Sequence, residues 1–182
     1  MQIIYNFIIN PYKTPLKFKG TKPYIECFSI ILLVCFVRLV DLSFLSLFQK
    51  TLFLIIMFFF SCFIITLQSA ALDFVAQLFK LKSHTVALFC WLGISWLPFC
   101  LSAPAKLISN ASGSLSNIAT LTTLFSFCLV IFFQITTIKW IYETSTLRSI
   151  LIYLIPSGII ACFSFIIILL GGAFVISSLL LL

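Results

Sequence analysis

The feature that most constrains this chain is a run of apolar residues without a single charge, residues 51–72. A helix needs about 20 mostly apolar residues to cross the roughly 30 Å hydrocarbon core of a bilayer. Lipid offers the backbone no hydrogen-bond partners, so a segment inside it must satisfy its own amides and carbonyls by forming a helix. The run is therefore predicted to be a transmembrane helix.

Four more segments have the same character, although the first is interrupted near its far end by Arg38 and Asp41. The last apolar run continues to Leu182, which is longer than one crossing needs, and the Gly171-Gly172 pair is a natural place for the span to end. The sequence thus predicts an all-α integral membrane bundle of five transmembrane helices. The predicted spans are residues 25–45, 51–72, 85–105, 117–138 and 149–171.

The composition agrees with a lipid environment. Hydrophobic residues make up 63% of the chain and charged residues 8%, whereas a soluble domain carries about 25% charged residues. The net charge of +7 does not indicate nucleic acid, because the basic residues are scattered between apolar runs rather than gathered on one face. The bilayer is the predicted partner, and nucleic acid is not.

The distribution of Lys and Arg predicts the orientation, because cytoplasmic loops of membrane proteins are enriched in these residues. With the N-terminus in the cytoplasm and the C-terminus outside, only Lys50 and Lys106 fall outside, and Arg38 lies near the outer end of the first span. The residues placed inside are Lys13, Lys17, Lys19, Lys22, Lys80, Lys82, Lys139 and Arg148.

The segment before the first span, residues 1–23, is predicted to be a cytoplasmic amphipathic lead to a single transmembrane domain, residues 24–182. Its first basic residue, Lys13, follows the short apolar stretch 3–9. A cleavable signal peptide has the reverse order, so none is expected here.

Ionisable groups in or next to membrane spans are the first candidates for function. Arg38 and Asp41 are three residues apart and share a helix face, which predicts a structural ion pair; a role with a substrate or ion is the alternative. Asp73 and Gln77 lie one turn apart beyond the second span. They are interpreted as an amphipathic continuation of that helix, with a partner-binding face as the functional alternative.

Three further positions are structural or interaction candidates. Gln134 is the most polar side chain of the fourth span, and a hydrogen bond between helices explains it. Pro98 and Pro156 are expected to break or kink the third and fifth spans.

The residue types that catalysis requires are scarce. The chain has four acidic residues and one histidine, His84, and it contains no HExxH, no GxSxG and no phosphate-binding glycine loop. All seven cysteines lie in apolar segments without metal-ligand spacing and are interpreted as packing residues. No catalytic, cofactor-binding or metal-binding residue is predicted, and no cofactor.

Several short segments form a recognisable set: residues 79–85 (FKLKSHT), 93–98 (GISWLP), 104–108 (PAKLI), 146–150 (TLRSI) leading to 154–156 (LIP), and Asn10-Pro11. Together they resemble the Yip family of Ypt/Rab-interacting membrane proteins. The resemblance implies five spans, a cytoplasmic N-terminus and an outer C-terminus. The Asp-Leu-Tyr-Gly-Pro motif of the eukaryotic branch is not found in the sequence, and the long cytosolic N-terminal region of that branch is not expected. The resemblance therefore favours the bacterial branch.

Two functional hypotheses follow. The first is a non-enzymatic scaffold or interaction protein of the Yip type, with other membrane proteins or further copies of itself as partners. The second is a small transporter or channel-like bundle in which Arg38, Asp41 and Gln134 lie near a pathway. The expected location is the bacterial cytoplasmic membrane, or an endomembrane if the source is eukaryotic.

Overall fold

The part of the chain that the structure describes is helical throughout. The computed structural model describes residues 2–9, 22–39, 46–111 and 116–159, and within them every regular element is a helix. The all-α prediction is therefore confirmed over these residues. The elements are α1 (Gln2–Ile9), α2 (Tyr24–Leu39), α3 (Leu47–Leu78), α4 (Thr85–Ile94), a 3-10 helix (Leu97–Leu101), α5 (Ser102–Ala111), α6 (Ser116–Ile141) and α7 (Thr146–Ile159).

Three helical segments are long and apolar enough to cross a membrane: Leu47–Leu78, Thr85–Ala105 and Asn117–Ile141. They coincide with the second, third and fourth predicted spans. The first predicted span is helical through α2, and its residues 40–45 lie outside the described residues. The fifth is described only to residue 159, as the apolar helix α7.

Helix α4 is the centre of the bundle. From Leu88 to Ser95 every residue except Phe89 is buried. Helices α2, α3 and α6 all pack against it. An apolar helix without a polar face can be stable only when it is surrounded in this way, or by lipid. The residues of α4 thus form the core on which the other helices are arranged.

Aromatic rings attach α1 to this core. Phe7 is only 1% exposed, and its ring centroid lies 5.9 Å from that of Trp91 and 5.1 Å from that of Phe133. Such ring pairs contribute about 0.5–1.5 kcal/mol beyond the area that they bury. The described part of the predicted amphipathic lead therefore packs on the bundle through Phe7.

A close approach of two helices occurs between α2 and α4 at Gly93. A Cβ atom added at Gly93 would overlap the Sγ atom of Cys27 and lie 3.3 Å from Cδ1 of Ile31. Small residues at such contacts allow helix backbones to approach closely in membranes. Glycine is required here for space, and not for an unusual backbone conformation.

In the order α2, α3, α4 and α6, helices two places apart run in the same direction. Cys27 of α2 contacts Phe89 of α4, and further along both helices the guanidinium of Arg38 lies over the ring of Phe99, so these two segments are parallel. Hydrogen bonds from α3 to Gln134 and Tyr142 show that α3 runs parallel to the α6 segment. We call the two ends of the bundle the Asp73 end, which holds the start of α2, the loop 79–84 and the turn after α6, and the Arg38 end.

Candidate functional site

The carboxylate of Asp73 organises the Asp73 end, although the side chain is only 2% exposed. Its Oδ2 atom accepts hydrogen bonds from the hydroxyls of Ser83 and Thr85, both at 2.7 Å. Its Oδ1 atom accepts one from the backbone N–H of His84 at 2.8 Å. His84 is the N-cap residue of α4 and makes no cap bond with its own side chain. Asp73 therefore caps the start of α4 from a neighbouring helix, where the positive end of the helix dipole favours a negative charge.

Two more donors complete the cluster. Nε2 of Gln77, one turn along α3, donates to Oδ2 of Asp73 at 2.9 Å. The hydroxyl of Tyr142, in the turn after α6, donates to Oδ1. Burial and the neighbouring carboxylate of Asp73 both raise the pKa of Tyr142 above its usual range, so the phenol keeps the proton that it donates. The ring of Tyr142 also lies beside that of His84, with centroids 5.9 Å apart.

The chemistry available to Asp73 follows from counting its bonds. An ionised carboxylate offers about four lone-pair sites, and five donors already occupy them. A substrate, proton or metal would have to displace one of these donors. The described residues also contain no group of three His, Cys, Asp or Glu side chains that could hold a metal ion. The hydrogen bonds of the Asp73 carboxylate thus join α3, the start of α4 and the turn after α6.

A cavity of about 560 Å³ lies between α2, α3, α6 and α7, and the residues around the 3-10 helix close one side of it. We call it the inter-helix cavity. Most of its wall is apolar, with five aromatic side chains: Phe60, Trp96, Phe99, Phe127 and Tyr153. It falls within the range of about 300–1,000 Å³ that is typical of small-molecule sites.

Polar side chains stand at the two ends of this cavity. Arg38 lies at the Arg38 end, where it is exposed and its guanidinium carbon is 5.7 Å from the ring centroid of Phe99. Towards the Asp73 end, Nε2 of Gln68 donates to Oε1 of Gln134 at 3.1 Å. Gln134 is only 3% exposed. This bond uses its oxygen as the acceptor and leaves its Nε2 hydrogens to donate to another group.

The structure places the candidate residues predicted from the sequence in different surroundings. Arg38 and Gln134, predicted separately, line the same cavity, and the predicted hydrogen bond between helices at Gln134 is confirmed. Gln77 is exposed, as an amphipathic continuation of α3 would place it, whereas Asp73 is buried. The ion pair of Arg38 with Asp41 remains a prediction, since Asp41 lies outside the described residues.

The two prolines are both buried. Pro98 lies in the first turn of the 3-10 helix, and α4 ends at Ile94. The third span is therefore interrupted near Pro98, which agrees with the break expected from the sequence. Trp96 and Phe99, on either side of Pro98, lie in the wall of the inter-helix cavity. Pro156 lies in α7.

Sequence reasoning missed the partners of Asp73 and Gln134. From the sequence alone, Tyr142 is one more aromatic residue just past the fourth predicted span, yet it bonds to a carboxylate 69 positions earlier in the chain. Gln68 is likewise separated from Gln134 by 66 positions. The available signal was that each is an uncommon polar residue in or beside an apolar segment, where an unpaired polar group is costly. That signal predicts a partner without identifying it.

No family model matches the chain, and neither a curated protein nor a solved structure matches it at a significant level. The resemblance to the Yip family therefore remains a prediction that rests on the segments quoted above.

Proposed function

We propose that this chain is a non-enzymatic multi-pass membrane protein of the Yip type that acts as a scaffold or interaction protein. The observation that carries the proposal is the outer surface of α3. This helix has 32 residues, and only 11% of its most apolar stretch is buried. Phe59, Phe63 and Leu67 are all more than half exposed on it. In a bilayer, such a face contacts lipid or the helices of other membrane proteins.

The proposed architecture has five spans, with the N-terminus in the cytoplasm and the C-terminus outside. The parallel pairs α2 with α4 and α3 with α6, together with the apolar helix α7 that follows them, support an odd number of crossings. The distribution of charge supports the orientation, since positive residues favour the cytoplasmic side. The Asp73 end carries Lys22, Lys80, Lys82, Lys139 and Arg148, against Arg38, Lys50 and Lys106 towards the opposite end. A bacterial cytoplasmic membrane is the proposed location.

Crosslinking in the membrane tests the interaction role. A photoreactive amino acid replaces Phe63, which is 60% exposed, and in a matched control it replaces Ile65, which is fully buried on the same helix. We expect discrete protein adducts from position 63 and none from position 65. If position 63 yields lipid adducts alone, the outer face of α3 is not an interaction surface and the proposal fails for this face.

A pair of reporter fusions tests the orientation. A reporter that is active only in the cytoplasm should be active when inserted in the loop 79–84 and silent when fused to the C-terminus. Activity at the C-terminus would require an even number of spans and would contradict the five-span architecture.

A small transporter or channel-like bundle is the second candidate function. The observation that favours it is the inter-helix cavity, which places Arg38 and Gln134 in one space between the helices. Loss of a reconstituted solute flux in Gln134→Leu, with crosslinks from position 63 unchanged, would favour this candidate over the scaffold.

A further inference from the structure

The inter-helix cavity combines apolar walls with hydrogen-bond donors at its two ends. The aromatic side chains of Phe60, Phe127 and Tyr153 line it between Arg38 and Gln134. Along α3 the lining extends from Met57 to Gln68, which at 1.5 Å per residue is about 16 Å. A molecule that is complementary to this cavity in shape and polarity is elongated and has an apolar body.

Arg38 determines the charge of one end of such a molecule. The guanidinium has five N–H donors and no acceptor, and its planar fork matches a carboxylate. The described acidic residues, Glu26, Asp73 and Glu143, all lie at the other end of the bundle. Asp41, the predicted partner of Arg38, lies outside the described residues. Because the guanidinium has more donors than one carboxylate uses, it can also bond the carboxylate of an occupant of the cavity.

Gln134 determines the chemistry of the other end. Its Oε1 atom accepts from Gln68, and the described residues give its Nε2 atom no acceptor. This atom is not among the fully buried polar atoms that lack a partner. It is therefore accessible from the cavity and can donate to an occupant, where a neutral hydrogen bond contributes about 0.5–1.5 kcal/mol. An oxygen atom at the far end of the occupant would accept this bond.

We propose that the inter-helix cavity binds a long-chain carboxylic acid taken from the bilayer. Its carboxylate pairs with Arg38, its chain lies between the aromatic side chains, and an oxygen function part-way along the chain accepts from Nε2 of Gln134. This inference does not depend on the scaffold role, which concerns the outer face of α3.

Binding of radiolabelled oleate, and of ricinoleate, which carries a hydroxyl in the middle of its chain, tests the proposal. The full chain is reconstituted in lipid nanodiscs, and empty nanodiscs measure the fatty acid that partitions into lipid. We expect saturable binding above the empty discs. Ricinoleate should bind several-fold more tightly than oleate, as a neutral hydrogen bond is worth about 2–10-fold in affinity.

Substitutions at the two ends separate the contributions. Arg38→Gln should weaken both acids by about tenfold or more, since a bond to a charged group is worth at least that factor. Lys50→Gln is the matched control: Lys50 belongs to the same end of the bundle but lines a separate cavity, so binding should not change. Gln134→Leu should abolish the preference for ricinoleate while oleate still binds, and Gln77→Leu, at an exposed amide, should leave the preference intact.

Several results would overturn the proposal. The first is the absence of saturable binding above empty nanodiscs. The second is saturable binding that neither Arg38→Gln nor Gln134→Leu alters, which would place the acid elsewhere, on the lipid-facing surface. If Arg38→Gln does not fold, the wild-type protein answers the same question, because methyl oleate lacks the charge and should bind about tenfold more weakly than oleate. Equal binding of the ester and the acid would refute the role of Arg38.

Discussion

Replacement of Asp73 by alanine is the most direct test of the cluster at the Asp73 end. The substitution removes the acceptor of five hydrogen bonds at once. Ser83 and Gln77 are exposed, so their donors can bond to water instead. Tyr142 is 7% exposed, and the backbone N–H of His84 starts a helix without another cap. At about 1–3 kcal/mol for each stranded buried donor, Asp73→Ala is expected to cost about 3–5 kcal/mol of unfolding free energy.

The share of Tyr142 can be measured separately. Tyr142→Phe removes one hydrogen bond to the carboxylate and should cost about 1.5–3 kcal/mol. In the double variant with Asp73→Ala the phenol has no acceptor to lose, so its removal should cost little more. The two costs should therefore fall short of additivity by about 1–3 kcal/mol, as expected for residues in direct contact.

The assay is equilibrium unfolding of the purified protein from mixed micelles by added SDS, followed by tryptophan fluorescence, together with thermal unfolding. For a chain of this size 1 kcal/mol corresponds to about 2–4 °C, so Asp73→Ala should lower the midpoint by roughly 6–20 °C. Lys82→Gln alters an exposed residue of the loop 79–84 and should stay within about 0.5 kcal/mol. A cost below about 1 kcal/mol for Asp73→Ala would refute a structural role for the cluster.

Three further predictions concern packing and backbone. Gly93→Ala places a Cβ on Sγ of Cys27 and should cost about 1–3 kcal/mol of unfolding free energy. In the Cys27→Ala background the same change should cost clearly less. An equal cost in both backgrounds would contradict the steric explanation. Gln68→Leu should cost about 0.6–2 kcal/mol by leaving Gln134 without its donor, and replacing both glutamines by leucine should recover part of this loss in the same unfolding assay. Lys80 has φ of 60°, where a side chain costs about 1–2 kcal/mol relative to glycine. Lys80→Gly should therefore raise the thermal midpoint, whereas a lowered midpoint would show that its side chain contributes a stabilising contact.

The sequence by itself determined the class of structure. Uncharged apolar runs long enough to cross a bilayer must form helices, because backbone amides and carbonyls in lipid have to be satisfied within the segment. This argument uses only local composition, and for the second, third and fourth predicted spans it agrees with the described helices. The break at Pro98 could be predicted for a similar reason, since proline removes a backbone donor at a known position.

Only the tertiary structure decided what the polar residues do. From its neighbours in the sequence, Asp73 belongs to an amphipathic turn, and its burial depends on the approach of α4 and of Tyr142, in the turn after α6. The inter-helix cavity likewise forms where helices that are far apart in the chain meet. Their packing brings Arg38 and Gln134 to the same space. Such contacts depend on which helix faces meet. With apolar residues on every side of α4 and along α6, the pattern of the sequence does not distinguish those faces.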